Sequence, residues 1–92
     1  MIRHIRNKAL RAIWENKSHR GIPSEHSEKI TRILDALNLA SKPEDLNFPG
    51  WRLHPLKGDM VGFWSVTVRA NWRIVFRFVE GDVTDIDYLD YH

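Results

Sequence analysis

Six side chains in this sequence have the chemistry to move a proton or hold an anion, and they come in three groups. The chain closes on Leu89-Asp90-Tyr91-His92, with an imidazole, a phenol and a carboxylate in consecutive positions. A second imidazole stands three residues before a lysine in His54-Pro55-Leu56-Lys57, and Arg73 lies between these groups in Trp72-Arg73-Ile74. An unperturbed imidazole titrates at a pKa of about 6.5, which suits proton transfer at neutral pH. Arginine presents a permanent planar cation matched to phosphate oxygens, and lysine is a mobile point charge for the same task. Tyr91 can stack on a base or donate a hydrogen bond, and Asp90 can orient a histidine or accept from the exocyclic amine of a base. Taken one at a time these are ordinary surface residues. A chain end that spends its last residues this way serves either packing or chemistry.

Composition limits the setting. The sequence has 92 residues, 42% hydrophobic, with four Trp, four Phe and two Tyr. That is enough large apolar surface for one small core and not the polar, aromatic-poor makeup of a disordered segment, so we expect one folded domain spanning residues 1–92. There are no cysteines, which removes disulfides, thiolate catalysis and cysteine-based zinc sites and suits a reducing compartment. No apolar run approaches the length of a membrane span, and Met1-Ile2-Arg3-His4-Ile5-Arg6 does not read as a secretory signal, so a cytoplasmic protein without a membrane partner is expected. His4, His19 and His26 lack metal-ligand spacing with any acid or histidine, and neither a metal nor another cofactor is expected.

Charge is distributed unevenly. Of the twelve acidic residues five lie at Glu80, Asp82, Asp85, Asp87 and Asp90, which leaves seven in residues 1–77 against all fourteen Lys and Arg. A basic front half of that kind is either a solvated face or a surface for a polyanion such as nucleic acid. Its cations include Arg3, Arg6, Lys8, Arg11, Lys17 and Arg20.

The elements that must position these residues follow from periodicity. Residues 1–6 alternate imperfectly and fit a short first strand. Asn7 can cap a helix running to about Lys17, with Leu10, Ile13 and Trp14 on its apolar side. Pro23-Ser24-Glu25 starts a second helix, striped by Ile30, Ile33, Leu34 and Leu37 and ending near Ala40 before Pro43. From Trp51 the period changes to two: strands are predicted over 51–54, 63–69, 72–79 and 83–90, with turns at Ala70-Asn71 and Glu80-Gly81. In the third of these Trp72, Ile74, Phe76 and Phe78 face the helices, so Arg73 and Arg77 fall on the other side. Ser65, Thr67 and Arg69 share that outer side on the preceding strand. The expected fold class is α+β, two N-terminal helices packed on a small, mainly antiparallel β-sheet.

Three stretches together carry a specific resemblance. LHPLKGD at 53–59, FWSVTVRANWRIVFRF at 63–78 and DYLDYH at 87–92, in that order and across nearly the whole chain, resemble the HigB toxins, the "killer protein" branch of the RelE superfamily. The resemblance implies the RelE-like toxin fold and the toxin half of a type II toxin-antitoxin pair. It implies a ribosome-dependent messenger RNA endonuclease that enters the ribosomal A site and works without a metal. Its RNase residues fall on His54, Lys57, Arg73, Asp90, Tyr91 and His92, with His92 as the leading base, His54 the leading acid, and the order of the two histidines open. The resemblance also implies a cognate HigA-type antitoxin with a helix-turn-helix domain, through which operator DNA would be bound. Ribosomal RNA in the A site would meet Arg69, Asn71 and the basic front half. Two other readings compete: a noncatalytic superfamily relative of the gyrase-inhibiting type, and a small basic module that binds nucleic acid without cleaving it.

Overall fold

The computed structural model describes residues 1–91; His92 lies outside the described residues. Helix α1 spans Lys8–Asn16 and helix α2 spans Ser24–Leu39, followed by a 3-10 turn at Pro43–Leu46. Strands β1 (His54–Pro55), β2 (Trp64–Arg69), β3 (Trp72–Val79) and β4 (Asp82–Asp90) form one antiparallel sheet in the order β1-β2-β3-β4.

Both helices begin where the sequence places them. The Asn7 side chain accepts from the Leu10 amide at 2.9 Å, satisfying one of the donors a helix start leaves open. At the other end Lys17 adopts a left-handed backbone (φ 56°), and its amide and that of Ser18 return to Ile13 and Ala12, closing the last turn. Leu10 and Ile13 from α1 and Ile30, Ile33, Leu34 and Leu37 from α2 are buried in one cluster with Val66, Ile74, Phe76, Val83 and Ile86 of the sheet. The alternation of β3 therefore holds, with Ile74 and Phe76 turned to the helices.

Three local features depart from the expected pattern. The predicted first strand is reduced to two parallel bridges onto β4, Ile2 to Val83 and Ile5 to Ile86. The bridges are three residues apart because β4 carries a bulge there: the register with β3 shifts between Val75 and Arg77, and Asp85 takes φ 54°. A left-handed residue interrupts the ladder and bends the strand. The expected strand over 51–54 pairs only at His54 and Pro55, since Arg52 is left-handed (φ 53°); the Trp51 carbonyl still accepts from the Thr67 amide at 2.7 Å. In the β2–β3 turn the left-handed position is Ala70 (φ 52°) and not Asn71, the residue type that tolerates that angle more readily. The β3–β4 turn matches its reading, with Glu80 at φ 52° and Gly81 at φ 83°, the paired positive angles a tight hairpin needs.

The outer face of the sheet is partly covered. Ser65 and Val75, paired across β2 and β3, are fully buried although they point away from the helices, and Val75 lies outside the helix-side cluster. Leu56, at the start of the β1–β2 loop, is buried and likewise outside that cluster.

Candidate active site

Arg73 sits near the open end of the outer face. Its Nη1 donates to Thr67 Oγ1 at 2.9 Å, and its Cζ lies 5.9 Å from the centre of the Tyr91 ring, within cation–π range. Thr67 and Arg73 are direct register partners, and Arg73 pairs on its other side with Leu89, so Tyr91, two positions further along, comes up on the same face by alternation. The Tyr91 amide is tied to the Asn71 carbonyl at 2.8 Å. Among the described residues Arg73 Nε is buried with no hydrogen-bond partner.

His54 reaches this face from the edge strand. It is paired with Ser65, and Ser65 with Val75, two residues along β3 from Arg73. Strand spacing and rise put the His54 and Arg73 backbones about 12 Å apart, a gap that their side chains and one nucleotide can fill. His54 Nδ1 lies 3.0 Å from the Arg52 carbonyl. A carbonyl only accepts, so Nδ1 is the donor and Nε2 is the nitrogen left for chemistry. The left-handed backbone of Arg52 brings its carbonyl within reach of that ring two residues on. Lys57 is exposed at the head of the 3-10 turn Gly58–Met60, inside a loop whose Gly58 (φ 65°) and Gly62 (φ 94°) hold angles that a side chain would strain.

Asp90 belongs to the other side of the same strand end. It pairs with Trp72, and with burial its charge pushes the Tyr88 phenol above its usual pKa, burial being the larger cause. His26, to which sequence reasoning assigned no role, is 6% exposed, and its Nδ1 bonds the Tyr88 hydroxyl. One signal in the sequence pointed to it: a histidine four residues before Ile30 on the apolar stripe of α2.

Among the other cations named from sequence, Arg3 is paired with Asp82 at 2.7 Å and Arg11 donates to the carbonyls of Ile5 and Arg6 at 3.1–3.4 Å. Arg69, expected on the outer face beside Arg73, instead pairs with the helix-side Trp72 after a register shift between Thr67 and Arg69, and lies 4.0 Å from Glu25 of α2, both well exposed. Arg6, Lys8, Lys17 and Arg20 lie along the front half, and all four are exposed. The structure thus brings Arg73, Thr67 and Tyr91 into contact, places His54 on the same face, and leaves Lys57 on the adjoining loop.

Comparison with known proteins identifies the family. A family model described as the RelE-like toxin HigB of type II toxin-antitoxin systems matches residues 3–92. The chain is 42% identical to Endoribonuclease HigB of Proteus vulgaris over 92 residues, the full length of both. It is 34% identical to Toxin HigB-1 of Vibrio cholerae serotype O1 over 94 residues, covering 100% of this chain and 98% of that one. Sheet, helices and full-length likeness lead to one assignment: this chain belongs to the HigB-like toxins of type II toxin-antitoxin systems.

Proposed function

We propose that this toxin is an endoribonuclease that cleaves messenger RNA in the A site of the ribosome, with the RNA's own 2′-hydroxyl as nucleophile. The observation that carries the reading is the Arg73 guanidinium, anchored to Thr67 at 2.9 Å and set under Tyr91 on the face that also bears His54. The name of the Proteus vulgaris relative, an endoribonuclease, supports the same reaction class.

In this mechanism a base takes the 2′-hydroxyl proton, the oxygen bonds to the adjacent phosphorus, and the bond from phosphorus to the 5′-oxygen breaks as an acid protonates it. The products are a 2′,3′-cyclic phosphate and a free 5′-hydroxyl. His92 is the proposed base and His54, through Nε2, the proposed acid. Arg73 and Lys57 neutralise the charge that grows on the nonbridging oxygens, a role in which positioned donors count most. Tyr91 stacks on a base beside the cut bond, and Asp90 contacts an exocyclic amine or orients His92. These residue types complete the reaction without a metal.

Membership in the family implies an antitoxin partner, which we take to be a HigA-type helix-turn-helix protein that carries the pair to operator DNA. Arg69, Asn71, Arg6, Lys8, Lys17 and Arg20 are the proposed contacts to ribosomal RNA, with Arg3 and Arg11 contributing to the same basic field. Such contacts hold the protein on the ribosome without reading sequence. Among the described residues no helix is long and apolar enough to cross a membrane, in keeping with a toxin that meets ribosomes in the cytoplasm.

Incubation of the purified protein with translating ribosomes, followed by mapping of message ends, tests the reading. Cuts confined to ribosome-bound message, ending in cyclic phosphate and 5′-hydroxyl, are expected. Intact message together with inhibited gyrase, or intact message bound by the protein, would establish one of the noncatalytic alternatives.

A further inference from the structure

Behind the face that carries Arg73, the end of β4 is held by a contact that the proposed chemistry does not use. His26 lies in the first turn of α2, almost completely buried, with its Nδ1 bonded to the Tyr88 hydroxyl. The Tyr88 ring stacks on Trp72 at 4.7 Å and 23°, and the imidazole stands 6.1 Å from each of the two rings, edge-on to Tyr88 and tilted to Trp72. Tyr88 is in register with Ile74, and Trp72 with Asp90. The three rings therefore bracket the last residues of β4 from the helix side, the side of Asp90, immediately before Tyr91 comes up beside Arg73 on the opposite face.

Filling this space does not call for an imidazole. A leucine would pack there without taking a polar ring out of water. What a buried, satisfied polar pair adds is direction, since the bond forms at one distance and one orientation. Direction matters here because a chain end frays unless it is tied down. Beyond the pairing of Trp72 with Asp90, the last backbone bond among the described residues is the one from the Tyr91 amide to Asn71. The Asp90 carboxylate also lies close enough to Tyr88 to raise its pKa, so moving the phenol moves the surroundings of Asp90.

We propose that His26, acting through the Tyr88 hydroxyl, is a positioning residue that sets the end of β4 so that Tyr91 meets Arg73 and the RNA in one geometry. Neither His26 nor Tyr88 touches RNA. The inference rests on the endonuclease reading and deepens it.

The test uses three variants of the full chain. Tyr88→Phe keeps the ring on Trp72 and removes only the hydroxyl; His26→Leu removes the polar ring; His26→Asn returns an amide near the position of Nδ1. Two quantities are read: hydrogen exchange at the Tyr91 amide, and the single-turnover cleavage rate against ribosome concentration. Tyr88→Phe and His26→Leu should each accelerate Tyr91 exchange and lower the maximal rate about tenfold, as loss of a reacting geometry does. The half-saturating ribosome concentration and the protection of the β3 amides should stay as in wild type. The double variant should lose no more than either single one, and His26→Asn should recover to within about twofold. Unchanged Tyr91 exchange overturns the proposal, as does faster exchange with a wild-type rate, or a loss of protection spread evenly over β3 and β4. If the wild-type protein does not cleave, the endonuclease reading has failed and positioning for catalysis fails with it; the exchange arm then still shows whether the ring pair holds the strand end.

Discussion

Arg73 is bonded to Thr67 beneath Tyr91, with Nη1 2.9 Å from the threonine hydroxyl, so the cation of the site is aimed by a β-sheet neighbour and does not swing freely. A guanidinium anchored at one corner leaves its remaining edge to face an incoming anion in a fixed direction. Thr67→Val keeps the shape of the strand and removes the acceptor. Cleavage should fall about tenfold while melting changes little, because the hydroxyl's net contribution to stability is only about 1 kcal/mol. Rates measured beside thermal melts check it, and a wild-type rate in Thr67→Val would mean that the sheet alone aims Arg73.

Arg73→Lys should fall well short of wild type for a related reason. A lysine keeps the charge and loses the fork that reaches both Thr67 and a phosphate oxygen. Cleavage within a factor of two of wild type would show that charge without direction is sufficient.

The bulge of β4 gives a prediction about stability and pH. Asp85 accepts from Arg77 Nε at 2.6 Å and lies 3.0 Å from His4 Nδ1, joining β3, β4 and the N-terminal segment. The Arg77 guanidinium, helped by His4, holds the Asp85 carboxyl below its usual range against the opposing effect of burial. A folded-state pKa lower than the unfolded one contributes stability above the unfolded value of about 4, and that contribution is lost as pH falls through the lowered folded value. Asp85→Asn, which suits the left-handed backbone, should therefore lower Tm at pH 7 by about 4 °C or more. The gap should close on acidification below pH 4. A gap that persists undiminished at pH 2 would assign it to the bulge geometry instead of the charge.

The basic front half makes a prediction about salt. Neutralising Arg6, Lys8, Lys17 and Arg20 together should weaken ribosome binding and flatten its dependence on salt, each lost phosphate contact removing about 0.7 to 0.9 of a unit of slope. Cleavage at saturating ribosomes should survive. Equal slopes for the two proteins would make these side chains a solvated face.

Much of this arrangement was readable in the sequence, and the parts that were not have local causes. The stripe of α2 and the alternation of β3 each reflect one-sided burial, so Ile74, Phe76 and the side of Arg73 followed directly. Asn7 and Glu80-Gly81 were legible because a cap and a tight turn select residue types. The shortened β1 was not, since Arg52 at φ 53° is imposed by the loop and by the bond from Thr67 to the Trp51 carbonyl, and arginine does not advertise a left-handed angle. Nor was the burial of Ser65 and Val75, because alternation gives the face of a residue and not whether a loop covers it. The role proposed for His26 depends on Tyr88, 62 positions away, and spacing along a helix carries no trace of such a partner. His92 lies outside the described residues, and its part in the account rests on the family likeness and on the chemistry of imidazole.

That part is testable by titration. His92→Gln keeps some hydrogen bonding but cannot exchange a proton near neutrality. Across pH 5 to 9 the wild-type rate should show an ionisation in the histidine range, and the variant should lose it along with most of the activity. An identical profile in both proteins would move the base elsewhere, with His54 next in line.

The central claim, that a sheet-anchored cation drives cleavage of ribosome-bound message, is tested most directly by the single-turnover cleavage rate of wild type and Arg73→Ala on programmed ribosomes at matched occupancy. The account predicts cleavage by wild type and a loss of about 10²-fold or more in Arg73→Ala, with folding intact. An Arg73→Ala protein that cleaves as fast as wild type, or a wild-type protein that leaves the message whole, would contradict it.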